Sequence, residues 1–539
     1  MDFSNFDFVI VGAGSAGCVL ANRLTECGRY KVLLLEGGGS DAQFWIKVPL
    51  GYAINVANPA LNWGYHTAPD AGLNGRSISW PRGKVIGGSG SINAMAYVRG
   101  LAHDFDDWAK SGARGWDWDS VKAVYNRMET HVELTATGRQ TRGDGPIVVS
   151  DLSDQMSAFS DHFLKAAQDA NYPVVSDMNA PDVDGIGYYR STVRNGRRWS
   201  SADAFLRPAQ RRANLCIVRH AMVDRLISEN GKVTGVAFRR GEKQHQVTAC
   251  KEVIVCAGAV NSPKLLQLSG IGPENLLRRH GVEVVHDVPQ VGRGLQDHLV
   301  VSHQFATDQV TLNNTLGRTF GKLCAGARYV LSRKGPLAVP VNQVGGFVRS
   351  EADREVPDMQ LYFNPVSYGE SSSGATVVDR SSGYQISAQP CRPTSVGSIE
   401  IASASPQDAP IINPQSLSTE DDKASAVRAG KTLQRFVKTA SLQAVTTAAK
   451  APDLMVLDDA ALLADFQDRA KTVYHPTCTC RMGRDRGDSV LDARLRVHGV
   501  SGLRVVDASA FPNITSGNTN APTMMLAMRA ADLILEDSL

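Results

Sequence analysis

Apolar positions are most sharply patterned over residues 7–37. A short apolar run, Phe8 to Val11, leads into a glycine turn, a segment from Ser15 to Leu24 with apolar residues at helical spacing, and a second apolar run, Lys31 to Glu36. Short apolar runs bounded by glycine read as buried strands, and a recurrence every three to four residues reads as a helix, so this stretch predicts a βαβ unit. Two more strand-like runs stand far away: Glu252 to Cys256 before another glycine turn, and Leu503 to Asp507 before Ala508-Ser509. If all three belong to one sheet, that sheet is assembled from discontinuous segments. Ala521-Pro522 opens a last apolar-periodic segment reaching Leu535; proline suits a first helical turn, and Asn520 before it suits the N-cap.

Residues 156–214 and 301–474 have a different character, rich in Ser, Pro, Thr and β-branched runs such as Gly397 to Ile401. They predict an α+β insertion around an antiparallel sheet. With no internal repeat and no flexible linker, the two domains are expected to interweave. The nucleotide domain takes 1–155, 215–300 and 475–539, and the second domain takes 156–214 and 301–474.

Composition narrows the class. A chain of 539 residues exceeds the size at which one core keeps growing. With 43% apolar residues, 21% charged and a net charge of +3 spread along the length, it reads as an ordinary globular protein. Lys and Arg occur singly or in pairs such as Arg197-Arg198, so nucleic acid is not an expected partner. The nine cysteines are odd in number and mostly in apolar surroundings, which reads as reduced core thiols. The N-terminus from Met1 to Asp7 carries no Lys or Arg, and no apolar run approaches the ~18 residues of a membrane span. Neither a signal peptide nor a transmembrane segment is expected; cytoplasmic localisation is the default.

Gly12-Ala13-Gly14-Ser15-Ala16-Gly17 is a G-x-G-x-x-G run placed directly after a strand and opening a helix. The first glycine permits the tight turn, the second lets a pyrophosphate approach the backbone, and the third lets the helix pack on the strand. The helix N-terminus adds partial positive charge. Glu36, nineteen residues after Gly17 at the end of the second strand, is placed to accept hydrogen bonds from ribose hydroxyls. By itself this motif does not separate NAD from FAD.

Further blocks resemble the glucose-methanol-choline (GMC) oxidoreductases from one end of the chain to the other. Residues 82–108, beginning Arg82-Gly83-Lys84-Val85-Ile86-Gly87-Gly88 and ending Asp106-Asp107-Trp108, resemble the first family signature. Residues 258–272 resemble the second, and Val291-Gly292 with Gly294-Leu295-Gln296-Asp297-His298 a third block. Tyr474-His475-Pro476-Thr477-Cys478-Thr479-Cys480, Val506-Asp507-Ala508-Ser509 and Gly517-Asn518-Thr519-Asn520-Ala521-Pro522-Thr523-Met524 resemble the catalytic C-terminal part. The wording around His475 is similar to that of bacterial sorbose-, choline- and alcohol-dehydrogenase members.

The resemblance implies an α/β fold: a Rossmann-like FAD-binding domain with an interwoven α+β substrate domain built on a six-stranded antiparallel sheet. It assigns cofactor contacts to Gly12, Gly14, Ser15, Ala16, Gly17, Glu36, Gly37, Gly83, Val85, Gly88, Asn93, Ala94, Met95 and Ala96. Val223 is expected at the adenine, and Asp507, Ala508, Ala521, Pro522 and Thr523 at the flavin. Members with a histidyl–flavin bond carry that histidine where this chain has Ile92, so non-covalent FAD is expected. Ser89 and Ser91 are expected to hydrogen-bond the cofactor.

The implied reaction is removal of a hydride from a small primary alcohol, polyol or ketose. His475 matches the catalytic base, and an imidazole with an ordinary pKa of about 6.5 has a useful neutral fraction at working pH. Pro476 restricts His475 to extended backbone. Asn520 matches the second catalytic position, where an amide can donate to a developing alkoxide. Asn342, Tyr362, Asn364 and Tyr368 are candidates for the substrate wall. Cys478-x-Cys480 lacks a second ligand pair at zinc spacing, so no metal is expected. The electron acceptor stays open among quinone, an artificial dye and O₂, and peripheral membrane contact stays open with it. Alternatives are an O₂-using oxidase, a choline-type dehydrogenase, a flavin lyase or light-driven decarboxylase, and a non-catalytic flavin binder.

Overall fold

The computed structural model describes residues 5–370 and 376–538. Met1–Ser4, on which the leader reading partly rests, lie outside the described residues, as do 371–375 and Leu539 within the expected domain segments.

The strands Phe6–Val11 and Val32–Glu36 pair in parallel across the helix Ser15–Glu26, as the periodicity predicts. Both strands are almost wholly buried because helices cover the sheet, which is why they read as continuous apolar runs rather than alternating ones. Leu215–Arg219 extends the sheet beside Val32–Glu36. On the other side lies Lys243–Val255, a long strand that changes partner along its length. Its first half pairs antiparallel with Lys232–Arg240, which in turn pairs with Met222–Glu229; its second half runs parallel to Phe6–Val11 and to Leu503–Val505. The three distant apolar runs therefore do share one sheet, through pairs such as Val9 with Val253 and Val253 with Leu503.

The second large sheet is antiparallel throughout. Its continuous path holds six strands, in the order Ala448–Ala449, Leu299–Ala306, Gly383–Pro390, Met359–Asn364, Val344–Val348, Gly185–Tyr188, with Lys471–Thr472 pairing additionally on Leu299–Ala306. The helices Ser160–Asp169 and Glu420–Val437 bury one face of it around Phe163, Phe363, Tyr384 and Phe436. Gly397–Glu400 does not join this sheet: it pairs with Arg293–Leu295 and Ile411–Asn413 in a separate three-stranded sheet.

The C-terminal helix Asn520–Asp537 packs against Ser15–Glu26. Its N-cap is Thr519, one residue earlier than the pattern suggested, so Asn520 is the first helical residue. Among the described residues, no helix is long and apolar enough to cross a membrane.

Candidate active site

The turn after Phe6–Val11 is closed by backbone meeting backbone. A Cβ on Gly12, whose φ is 101°, would stand 2.5 Å from the Cys256 carbonyl oxygen, and one on Gly17 would stand 1.9 Å from the Gly12 carbonyl oxygen. A Cβ on Gly88 would come within 2.8 Å of Gly14 Cα. The two glycine-rich segments thus press together where side chains would hold them apart.

They wall a single cavity of ≈ 540 Å³ that touches Glu36 and His475 alike. Of the residues named from sequence, Gly12, Gly14, Ser15, Ala16, Glu36, Gly37, Gly83, Gly88, Asn93, Ala94, Met95, Ala96, Val223, His475, Asp507, Ala508, Asn520 and Thr523 line it. Gly17, Val85, Ala521 and Pro522 stand behind the wall: Gly17 permits helix packing, and Val85 sits in a small core with Ile46, Leu61 and Ile92. Ile92 also reaches the cavity.

Glu36 accepts from the amides of Ala13 (2.9 Å) and Gly38 (2.7 Å), and burial pushes its carboxyl up to about 7. Beside it, Gly37 lies against Trp63, so this end of the cavity offers a flat aromatic neighbour and an acceptor. Further along, Gly258, with φ 85°, lines the cavity and has nothing within 4 Å of where its Cβ would project. Bare backbone at two glycine turns, a helix N-terminus at Ser15 and an acidic group at one end fit the pyrophosphate and ribose of a dinucleotide. One continuous cavity running on to His475 fits a cofactor whose reactive ring lies beyond the pyrophosphate.

Two polar groups are spent within the protein. Asp507 accepts from Gly258 N, Ser262 Oγ, Ser509 N and Ser509 Oγ at 2.6–2.8 Å, so its carboxylate ties the Gly258 turn to the C-terminal segment. Ser91 donates to the Ile86 carbonyl at 2.7 Å and is fully buried, so it braces the loop; Ser89 does line the cavity.

Arg198 escaped the sequence reading. Its guanidinium, 1% exposed, donates to the Ile46 carbonyl and to both the side chain (2.6 Å) and carbonyl (2.7 Å) of Asn93. Burial lowers it to about 9. It fixes the loop carrying Asn93 to Met95, and only its place in a short basic pair marked it in sequence.

His475, 8% exposed, stands between residues with left-handed backbone, Tyr474 (φ 68°) and Cys478 (φ 70°). Such conformations persist only where the surroundings enforce them. Its amide donates to Asp297 Oδ1 at 2.8 Å; Thr472 Oγ1 donates to the other oxygen of that carboxyl, which burial pushes up to about 6. His475 Nδ1 lies 3.1 Å from His298 Nδ1, and His298 Nε2 lies 2.7 Å from the Cys391 carbonyl oxygen.

A carbonyl only accepts, so His298 carries its proton on Nε2. Burial lowers His298 to about 4, so the ring is neutral and its Nδ1 is an acceptor. His475 must therefore donate from Nδ1. The Nε2 lone pair of His475 is left toward the cavity, 3.2 Å from the donating Nδ2 of Asn518. Burial first, then the neighbouring His298 ring and the Arg82 guanidinium, holds His475 well below its ordinary range.

Asn518, not Asn520, shares this corner with His475. Its Oδ1 accepts from Gln360 Nε2 at 3.2 Å, fixing which way the amide faces. Asn520 Oδ1 instead accepts from Ser15 Oγ at 2.7 Å, joining the last helix to the glycine turn. The family resemblance put the second catalytic position at Asn520 and gave Asn518 no role; the amide beside His475 Nε2 is that of Asn518.

The remaining wall mixes polar side chains with apolar ones such as Val300, Val341 and Val473, and its charged groups are cations. Ser302, Asn342, Asn364, Gln385 and Ser387 line it with Tyr52, Tyr362, Arg82 and Lys471; Tyr368 does not. The only acidic residues lining the cavity, among those described, are Glu36 and Asp507, both with the nucleotide segments. Cys478 and Cys480 are buried near the same corner, and burial pushes the Cys478 thiol up to about 12.

A glycine-turn nucleotide cradle continuous with a buried, proton-accepting imidazole defines a dinucleotide-dependent oxidoreductase. The GMC oxidoreductase N-terminal profile matches residues 6–300 and the C-terminal profile residues 393–527, and the chain belongs to that family. It is 39% identical to an alcohol dehydrogenase [acceptor] of Pseudomonas putida, over 98% of this chain and 96% of that one. It is 40% identical to the mitochondrial choline dehydrogenase of Homo sapiens, over 98% and 89%. Pyridoxine 4-oxidase from Mesorbium loti superposes with a TM-score of 0.88 at 30% identity, covering 99% of each chain.

Proposed function

We propose that this protein is an FAD-dependent dehydrogenase of small, uncharged, hydroxyl-rich alcohols, with His475 as the base and Asn518 as its amide partner. The observation carrying this reading is the cavity itself, which joins the ribose-accepting Glu36 to the unprotonated Nε2 of His475. FAD, held by the glycine turns, Glu36, the segment Asn93–Ala96 and the N-terminus of the last helix, supplies the hydride acceptor when bound. The histidine and amide prepare the alcohol. A substrate hydroxyl entering the corner donates to His475 Nε2, while Asn518 Nδ2 donates to the alcohol oxygen as negative charge grows there. His298 holds the imidazole in the required tautomer and Asp297 holds its backbone. With Ile92 at the linking position the cofactor binds non-covalently, and acid denaturation should free it completely.

The wall of Ser302, Asn342, Asn364, Gln385 and Ser387 suits a polyol or ketose. A quaternary ammonium wants an anionic or aromatic cage. Tyr52 and Tyr362 offer aromatic faces at this wall, but Lys471 and Arg82 stand there without a carboxylate, which disfavours a choline-type substrate. We assign the nucleotide domain to 1–155, 215–300 and 475–539 and the substrate domain to the rest, because the strands of the two large sheets divide near those limits. Nine free thiols suit a reducing cytoplasm.

The test is anaerobic mixing of the holoenzyme with sorbose, simple primary alcohols and choline while flavin absorbance is followed. Bleaching by neutral hydroxyl compounds ahead of choline is expected; no bleaching by any alcohol overturns the proposal. Admission of air then separates a dehydrogenase from an O₂-using oxidase by the speed of recolouring.

A further inference from the structure

The helix Thr319–Ser332 is amphipathic in the inverse sense. Only Ala325 and Tyr329 are buried, while Phe320 is 78% exposed, Leu323 67%, Val330 58% and Leu331 86%. At about 100° per residue, Phe320, Leu323, Cys324, Ala327, Val330 and Leu331 fall in one arc of roughly 120° directly opposite the buried stripe. Arg328 falls about 40° beyond one edge of that arc, whereas Lys322 falls nearer the inner stripe, beside Tyr329; both are exposed. The helix is docked firmly by its inner face, where Tyr329 Oη donates to the Gly196 carbonyl at 3.0 Å. Phe44 and Trp45, 49% and 41% exposed, stand in edge contact with each other, and the Phe44 ring meets that of Tyr329 on the inner side of the helix.

Charge accompanies it. Between Asp308 and Glu351 the chain has no Asp or Glu, yet it carries Arg318, Lys322, Arg328, Arg333 and Lys334. None of these five lies within 4.0 Å of a carboxylate among the described residues. An outward apolar ridge bordered by Arg328, on a segment whose other cations have no carboxylate partner, is the arrangement of a helix lying in a bilayer interface, apolar face among the acyl chains and cations at anionic headgroups.

We infer that the outer face of Thr319–Ser332 docks this enzyme on an anionic phospholipid surface. A second copy of the chain fits less well. A two-fold contact through this helix would bring two positively charged segments together, with no acidic residue in either to pair them. The location has a consequence for access. Leu312 and Leu316, just before the helix, pack with Tyr52 and Val341, which line the cavity. The bilayer would therefore lie about one layer of side chains from the substrate site, within reach of a lipid-dissolved substrate or electron acceptor.

Flotation of the holoenzyme with vesicles tests this, using phosphatidylcholine alone and an equimolar mixture with phosphatidylglycerol. The protein should float with the mixed vesicles and much less with phosphatidylcholine. F320S/L331S should lower the bound fraction at least about tenfold, and K322E/R328E, which makes two of the segment's positive charges negative, should lower it as well. Alcohol-driven flavin bleaching in solution should be unchanged in both variants, which shows that they fold. Light scattering on the eluting species gives the mass in parallel. Wild-type protein that stays in the aqueous layer, equal binding to both vesicle types, or F320S/L331S floating like wild type each overturns the inference. So does a dimer whose mass halves in F320S/L331S, which would assign the ridge to contact between copies.

Discussion

The two ends of the cavity recognise their ligands with different materials. At the nucleotide end the surface is mostly backbone: Gly12, Gly14, Gly88 and Gly258 leave amides and open space, and one carboxylate, Glu36, adds an acceptor. At the alcohol end it is side chains, brought by strands and loops as far apart in sequence as Arg82, Ser302, Asn342, Gln385 and Asn518. Backbone recognition depends on glycine at fixed spacing and leaves a local signature. Side-chain recognition depends on which residues the fold makes neighbours.

The comparison can be broken most decisively at His475. His475→Ala should slow alcohol-driven flavin reduction by at least ~100-fold while FAD absorbance is retained, since the lost group acts at one end only. Stopped-flow bleaching reads this directly, and a near-normal rate would place the base elsewhere. At the opposite end, Gly17→Ala should do the converse. A Cβ 1.9 Å from the Gly12 carbonyl oxygen must displace the turn, at about 1–3 kcal/mol, and the purified protein should carry less FAD. What FAD remains should be reduced at the normal rate.

A finer test concerns the tautomer. His298→Leu removes the acceptor for His475 Nδ1 and should lower the reduction rate about tenfold, part of the general-base contribution. His298→Asn, whose amide oxygen can still accept, should recover most of it. Because burial holds His475 well below 6.5, the wild-type rate should stay flat as pH falls to 6.5, and a half-maximal point at that pH would contradict the assigned environment.

The smallest effect is expected at Glu36. Burial raises its pKa from 4.5 to about 7, so the protonated form stabilises the folded apoprotein below pH 4.5, and that contribution is lost as pH rises through about 7. Ribose hydroxyls are better accepted by the carboxylate, so FAD should bind several-fold more tightly above pH 7 than near pH 6. Fluorescence titration of the apoprotein measures this, and Glu36→Gln should abolish the dependence.

The same contrast explains what sequence could and could not disclose. The βαβ unit, the glycine turn and Glu36 are adjacent in the chain and were legible as chemistry. The inclusion of Leu503–Val505 in the first sheet was legible as an apolar run awaiting a partner. His298, Arg198 and the choice of Asn518 over Asn520 were not: each depends on a contact with a residue far off in the chain, such as Cys391 or Asn93, and nothing local fixes it. Helical spacing also shows that Thr319–Ser332 has two faces without telling which one is outward.

The long strand Lys243–Val255 and the short one Leu503–Val505 also set an order of events during synthesis. A chain emerging from the ribosome has its glycine turn within the first twenty residues, but Arg198 arrives much later, and the closing strand and the helix Asn520–Asp537 last of all. Until then the parallel sheet keeps an unpaired edge and Ser15 has no Asn520 to hold. The glycine turn is braced only once these segments are in place, so a protein shortened before residue 503 should expose a sheet edge and behave as a client for chaperones rather than as a smaller enzyme.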